Sequence, residues 1–163
     1  MNLKKQVTSL ELAKEAKQAS IEIDSYYIWI IPTDDDPIAP DEPFVLPHTE
    51  HITASKVKDA YKAPTAAEWL EFLPDDLEIK EKHLYGDSKC LNCGESPYGD
   101  SEEEIKNLRL FFRIKRKKNK FIVRHFAKSY PANHTRWEQE CEAEKLSDAL
   151  CKLAIKLKQE DII

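Results

Sequence analysis

From Ala63 to Pro74 the chain reads APTAAEWLEFLP, a stretch that specifies a short helix from start to stop. Thr65 and Glu68 have the spacing of a capping box, in which the hydroxyl accepts from the amide three residues on and the carboxylate reaches back. Pro64 keeps the chain extended up to that cap. Pro64 and Trp69 also stand where a hydrophobic staple would place them. Ala66, Trp69, Leu70 and Leu73 form one apolar stripe, with Glu68 and Glu71 facing out. Pro74 disfavours helical geometry at Leu73, so the helix ends there. The cap contributes about 1 kcal/mol, whereas burying Trp69, Leu70 and Leu73 contributes several times that. A helix this short exists because it docks.

The rest of the chain supplies its surroundings. Thr8-Ser9-Leu10-Glu11 has the same capping-box form, with Thr8 as the cap of a weakly amphipathic helix over about Ser9–Ala19. IEIDSYYIWII at Ile21–Ile31 is rich in β-branched and aromatic residues and predicts a buried strand beginning near Ser25. Residues 32–50 hold five prolines, six acids and no Lys or Arg, and predict an extended acidic surface loop. His51–Lys62 fits either a short helix or a strand. Leu77–Leu84 alternates as a strand, and residues 85–104 form a second loop that holds all three glycines with Cys90 and Cys93.

Asn107–Arg116 and Phe121–Ser129 predict an antiparallel hairpin. Leu108, Leu110, Phe112 and Ile114 alternate with Arg109, Phe111, Arg113 and Lys115, the period of a half-buried strand. The turn between them lacks glycine, which leaves Asn119 as the residue best suited to a left-handed conformation. Arg136–Glu142 predicts a further strand. Leu146, Leu150, Leu153 and Leu157 mark a closing helix over about Ala143–Gln159, with Ala149 and Ala154 widening its buried face. Ile162 and Ile163 are expected to fold back onto the core. Helices and strands mix without β-α-β alternation, which predicts an α+β fold. The expectation is one domain over residues 1–163, an antiparallel sheet of about 4–5 strands packed with about 3 helices.

Charge is distributed unevenly. Residues 106–128 contain ten Lys or Arg and no acid, within a chain of net charge −5, so the remainder carries −15. No run of 18 apolar residues occurs, and no apolar segment follows the first lysines, so neither a membrane span nor a secretory signal is expected. The expected compartment is the cytosol, where cysteines stay reduced unless a metal holds them.

Two segments carry candidate chemistry. On one face of the hairpin the alternation places Arg109, Phe111, Arg113 and Lys115 beside Ile122, Arg124, Phe126 and Lys128, with Lys117, Lys118 and Lys120 crowning the turn. Cations interleaved with aromatics hold phosphates and stack bases. The plainer alternative is a solvated hairpin whose lysines discourage edge aggregation, or pair with acids elsewhere in the chain. Cys90-Leu-Asn-Cys93-Gly94 has the form of half a zinc knuckle, with His83 as the nearest further ligand; no second CxxC completes it. Zinc is thus the one candidate cofactor. Cys141 and Cys151 are expected in the core. There is no Walker loop, GxGxxG, GxSxG or HExxH, and His51-Ile-Thr53 is a lone HxT, so a non-enzymatic role is expected.

Three segments, Val7–Trp29, Ala63–Pro74 and Glu144–Ile163, together resemble a widespread family of small bacteriophage- and prophage-associated proteins of unknown function. They cover about a third of the chain, and the middle one is the most specific. The acidic loop and the cysteine loop depart from that family's pattern. The resemblance implies a mobile-element origin and a compact α+β fold, and it brings no catalytic residues. The expected function is therefore that of a phage-type accessory protein that binds a host or viral macromolecule, protein or nucleic acid, away from membranes. The alternative is a nucleic-acid-binding protein that uses the hairpin at 106–128, with a zinc-stabilised CxxC loop.

Overall fold

The computed structural model describes residues 3–33, 42–48, 57–73, 109–128 and 135–163. Six strands and three α-helices lie among them. A 3-10 turn at Leu3–Lys5 leads into α1 (Leu10–Gln18), followed by β1 (Tyr27–Pro32), β2 (Phe44–Pro47), β3 (Val57–Lys62) and α2 (Ala66–Phe72). The chain continues with β4 (Arg109–Lys117), β5 (Lys120–Lys128), β6 (Thr135–Ala143) and α3 (Leu146–Gln159). The mixture is α+β as expected, but the strands form two three-stranded antiparallel sheets, β2-β1-β3 and β4-β5-β6, instead of one sheet of four or five.

The first sheet has its most apolar strand in the middle. Ile28, Trp29 and Ile30 of β1 are all buried, and β1 is flanked by β2 (Trp29 opposite Val45) and β3 (Trp29 opposite Tyr61). β2 arises from the proline-rich segment expected to be all loop. Its Pro47 stands at the end of an edge strand, where a missing N–H breaks no ladder bond. β3 makes residues 57–62 of the ambiguous segment a strand, while 51–56 lie outside the described residues. The predicted strand at 77–84 and the loop at 85–104 lie outside the described residues.

α3 is the centre of the core. Leu150, Leu153 and Leu157 are fully buried, and so are Ala149, Cys151 and Ala154. Burial extends around more than one face because α3 packs against β5 and β6 on one side and against α1 and α2 on the other. Val123, Ala127 and Cys141 of the second sheet, Leu12 and Ala16 of α1, and Trp69 and Leu73 beside α2 share one apolar cluster with it. Ile162 and Ile163 pack against that cluster, as expected.

α2 is built as its sequence predicts. Thr65 Oγ1 accepts from the Glu68 amide at 3.3 Å, and Glu68 Oε2 accepts from the Thr65 amide at 2.6 Å. Leu73 leaves the helix in extended geometry, as the residue before a proline should. Two details differ. Leu70 is 41% exposed, and Phe72 packs edge-on against Trp69 in its place. Glu68 does not simply face solvent, because its other carboxylate oxygen accepts from the Tyr26 amide at 2.6 Å.

Thr8 is not a cap. Ser9 occupies the N-cap of α1, without a side-chain cap bond, and Thr8 is fully buried. Its hydroxyl donates to the Pro64 carbonyl at 3.0 Å and accepts from Trp69 Nε1 at 2.7 Å. Its own carbonyl accepts from Trp29 Nε1 at 2.8 Å. Next to it, the Ser9 amide donates to Asp148 Oδ1 at 2.7 Å, and Lys145 Nζ donates to the Val7 carbonyl at 2.9 Å. Three residues thus tie β1, α2 and the start of α3 together.

The β4–β5 hairpin closes through a two-residue turn between Lys117 and Lys120. Lys118, not Asn119, takes the left-handed conformation, with φ 54°. That geometry costs a non-glycine residue about 1–2 kcal/mol. Lys118→Gly is therefore expected to stabilise the protein by about 1 kcal/mol, read as a raised urea midpoint at unchanged m-value.

Candidate nucleic-acid interface

The alternation of β4 and β5 becomes a surface because α3 covers only one face of their sheet. Val123, His125 and Ala127 point toward α3 and are buried. The opposite face carries Phe111 across from Phe126, Arg113 across from Arg124, Lys115 across from Ile122, and Lys117 across from Lys120. Arg109 and Lys128 are partners at the far end of the same ladder. The structure thus brings the hairpin residues singled out from sequence into one row of pairs, and Lys118 joins them from the turn.

Phe111 and Phe126 stack with ring centroids 5.3 Å apart and planes 15° from parallel. Phe111 stays 41% exposed, so the stack is open to solvent. A groove of about 450 Å³ follows, between Arg113, Lys115 and Lys117 on one side and Ile122, Arg124 and Glu140 on the other.

β6 adds what the sequence reading left out. Glu138, Glu140 and Glu142 stand opposite Phe126, Arg124 and Ile122, so they share the face with the cations. Arg124 Nε lies 2.9 Å from Glu138 Oε1 and 2.8 Å from Glu140 Oε2. Lys120 Nζ lies 2.6 Å from Glu142 Oε1. The hydrogen bond to Glu140 holds the Arg124 guanidinium above its usual range. The shared hydrogen bond raises the Lys120 ammonium and lowers the Glu142 carboxyl. Such exposed pairs add little stability. Their consequence is a graded face, neutral along β5 and β6 and cationic along β4. Arg113 and Lys115 have no ion-pair partner among the described residues.

The inner side of β4 also departs from expectation. Phe112 and Ile114, predicted to be half of a buried stripe, are 39% and 38% exposed. α3 packs over β5 and β6, the inner and far strands of this sheet. Phe112 meets His125 edge-on at 5.8 Å.

Burial pushes the His125 imidazole below its usual 6.5. The folded protein therefore holds it neutral, while the unfolded chain takes up a proton near pH 6.5. Stability is expected to fall as pH drops below about 6.5 and to keep falling until the folded imidazole itself protonates. Urea unfolding between pH 7 and 5 checks this, since His125→Gln should flatten that limb. Loss of the lowered Glu142 carboxylate belongs to a separate window, below the ordinary carboxylate range.

Cys90, Cys93 and His83 lie outside the described residues. Among the described residues no group of three or more His, Cys, Asp or Glu is placed to hold a metal ion. Cys141 and Cys151 are buried core residues, as expected. Burial pushes the Cys151 thiol up to about 12 and raises that of Cys141, which makes both poor nucleophiles. No described helix is long and apolar enough to cross a membrane. No protein family model, curated protein or solved structure was found to match this chain.

Proposed function

We propose that this chain is a non-enzymatic accessory protein of phage or prophage type that binds single-stranded nucleic acid on the outer face of β4 and β5. The observation that carries the reading is the open Phe111–Phe126 stack in line with Arg113 and Lys115. Exposed aromatic faces take unpaired bases at about 1–3 kcal/mol per base, and cations beside them take the backbone. Nine residues of strand extend about 30 Å, room for a short run of nucleotides.

The acidic row of β6 favours one strand over two. It lies two strand spacings, about 10 Å, from the cationic row. A single strand can follow β4 and avoid it, whereas a duplex carries a second line of phosphates toward Glu138, Glu140 and Glu142.

Fluorescence anisotropy with single- and double-stranded DNA and RNA, at low and high salt, tests the reading. Single strands are expected to bind at micromolar protein in about 50 mM salt, and more tightly than duplexes. With about three phosphates neutralised, affinity should drop about 20-fold on going to about 200 mM salt. Absence of salt-sensitive binding at micromolar protein rejects it.

A further inference from the structure

The second sheet has two edges, and they are treated differently. At β6, Lys156 Nζ donates to the Glu140 carbonyl at 3.0 Å and Lys152 Nζ to the Glu142 carbonyl at 3.3 Å. Carbonyls two residues apart on a strand point the same way, so two ammonium groups of α3 occupy that edge. β4 is the other outer strand, and among the described residues no strand or side chain bonds its far side. Phe111 through Lys117 are all exposed.

An open strand of this length is a template for another extended chain. Its side chains say which kind. A second copy is opposed by register: antiparallel pairing of two β4 strands that keeps the sheet faces aligned sets residues of the same parity against each other. Arg113, Lys115 and Lys117 then face their own row, and like charges directly opposed destabilise a strand pair. An acidic strand meets the reverse situation, because each of its carboxylates on that face finds a cation. On the other face Phe112 and Ile114 offer exposed apolar contact.

We propose that the edge of β4 left unpaired among the described residues docks an extended peptide segment of a protein partner, with acids alternating with apolar side chains. Backbone bonds to β4 hold it, Arg113 and Lys115 take its acids, and Phe112 and Ile114 take its apolar side. The peptide site takes in the edge and both faces of β4 and shares Arg113 and Lys115 with the nucleic-acid face, whereas Phe112 and Ile114 on the inner side belong to the peptide alone.

The full-length chain is titrated by anisotropy with a labelled peptide of about eight residues that alternates glutamate with valine and isoleucine, a strand of ordinary length. Controls are the same peptide with lysine for glutamate and with methylated backbone nitrogens. The expected result is binding of the acidic peptide alone, about tenfold or more weakened by methylation, together with slowed hydrogen exchange of alternate β4 amides. Phe112→Thr/Ile114→Thr should weaken the peptide about fivefold or more while leaving single-stranded DNA binding unchanged. Equal binding of the methylated peptide, binding of DNA with no peptide binding, or self-association through β4 would each overturn the proposal.

Discussion

Thr8→Val is expected to destabilise the protein by about 2–3 kcal/mol, although the two side chains have nearly the same shape. Valine cannot accept from Trp69 Nε1, and Trp69 is fully buried, so the indole N–H keeps no access to water. An orphaned buried donor costs about 1–3 kcal/mol, and the hydroxyl's bond to the Pro64 carbonyl is lost with it. A double-mutant cycle separates this from packing. In the Trp69→Phe background no donor is left to orphan, so Thr8→Val should cost about 1 kcal/mol or less. Equilibrium unfolding in guanidinium measures all four proteins, and additive effects of the two substitutions would contradict the assignment of Thr8 as the acceptor.

The contrast between the two Thr-x-x-Glu motifs shows how far local pattern reaches. Thr65 and Glu68 form the capping box because Pro64 and Pro74 bound the segment and, among the described residues, no competing partner reaches the hydroxyl. At Thr8 the same four-residue pattern loses to a distant partner, the indole of Trp69 sixty-one residues away. Nothing in the neighbourhood of Thr8 announces that partner. Other features were open to local reading. The leucine spacing of α3, the buried cysteines and the alternation of β4 and β5 all follow from period alone, and the observed register pairs the residues that alternation places together.

Three things needed tertiary structure. The division of strands between two sheets goes with α3 packing on β5 and β6 while α1 packs on β3, which periodicity does not encode. Exposure of Phe112 and Ile114 goes with the packing of α3 on β5 and β6, a tertiary choice that period does not encode. The left-handed Lys118 shows that hairpin twist overrides residue preference when no glycine is available. One feature was legible and was missed. Glu138, Glu140 and Glu142 alternate in WEQECEAE as regularly as the cations of β4, so the same period-2 argument places them on one face.

The cationic row of β4, facing that acidic row, supplies the second large effect. Reversing Arg113→Glu and Lys115→Glu together is expected to weaken single-stranded nucleic acid about 100-fold at low salt, through lost contacts and new repulsion. Both side chains are exposed, so stability should change by no more than about 0.5 kcal/mol. Glu138→Gln/Glu140→Gln should act in the opposite direction. It releases Arg124 from both of its carboxylates, and affinity is expected to rise about three- to tenfold. A solvated hairpin with no nucleic-acid role predicts no change in either variant.

The most direct measurement is the salt slope of single-stranded binding for the wild type and for Arg113→Gln/Lys115→Gln. Each cation that neutralises a phosphate contributes about 0.7 to the slope of log affinity against log salt. If these two side chains hold phosphates on the outer face of β4, the slope should become shallower by about 1.4. An unchanged slope would place the bound strand elsewhere and contradict the account.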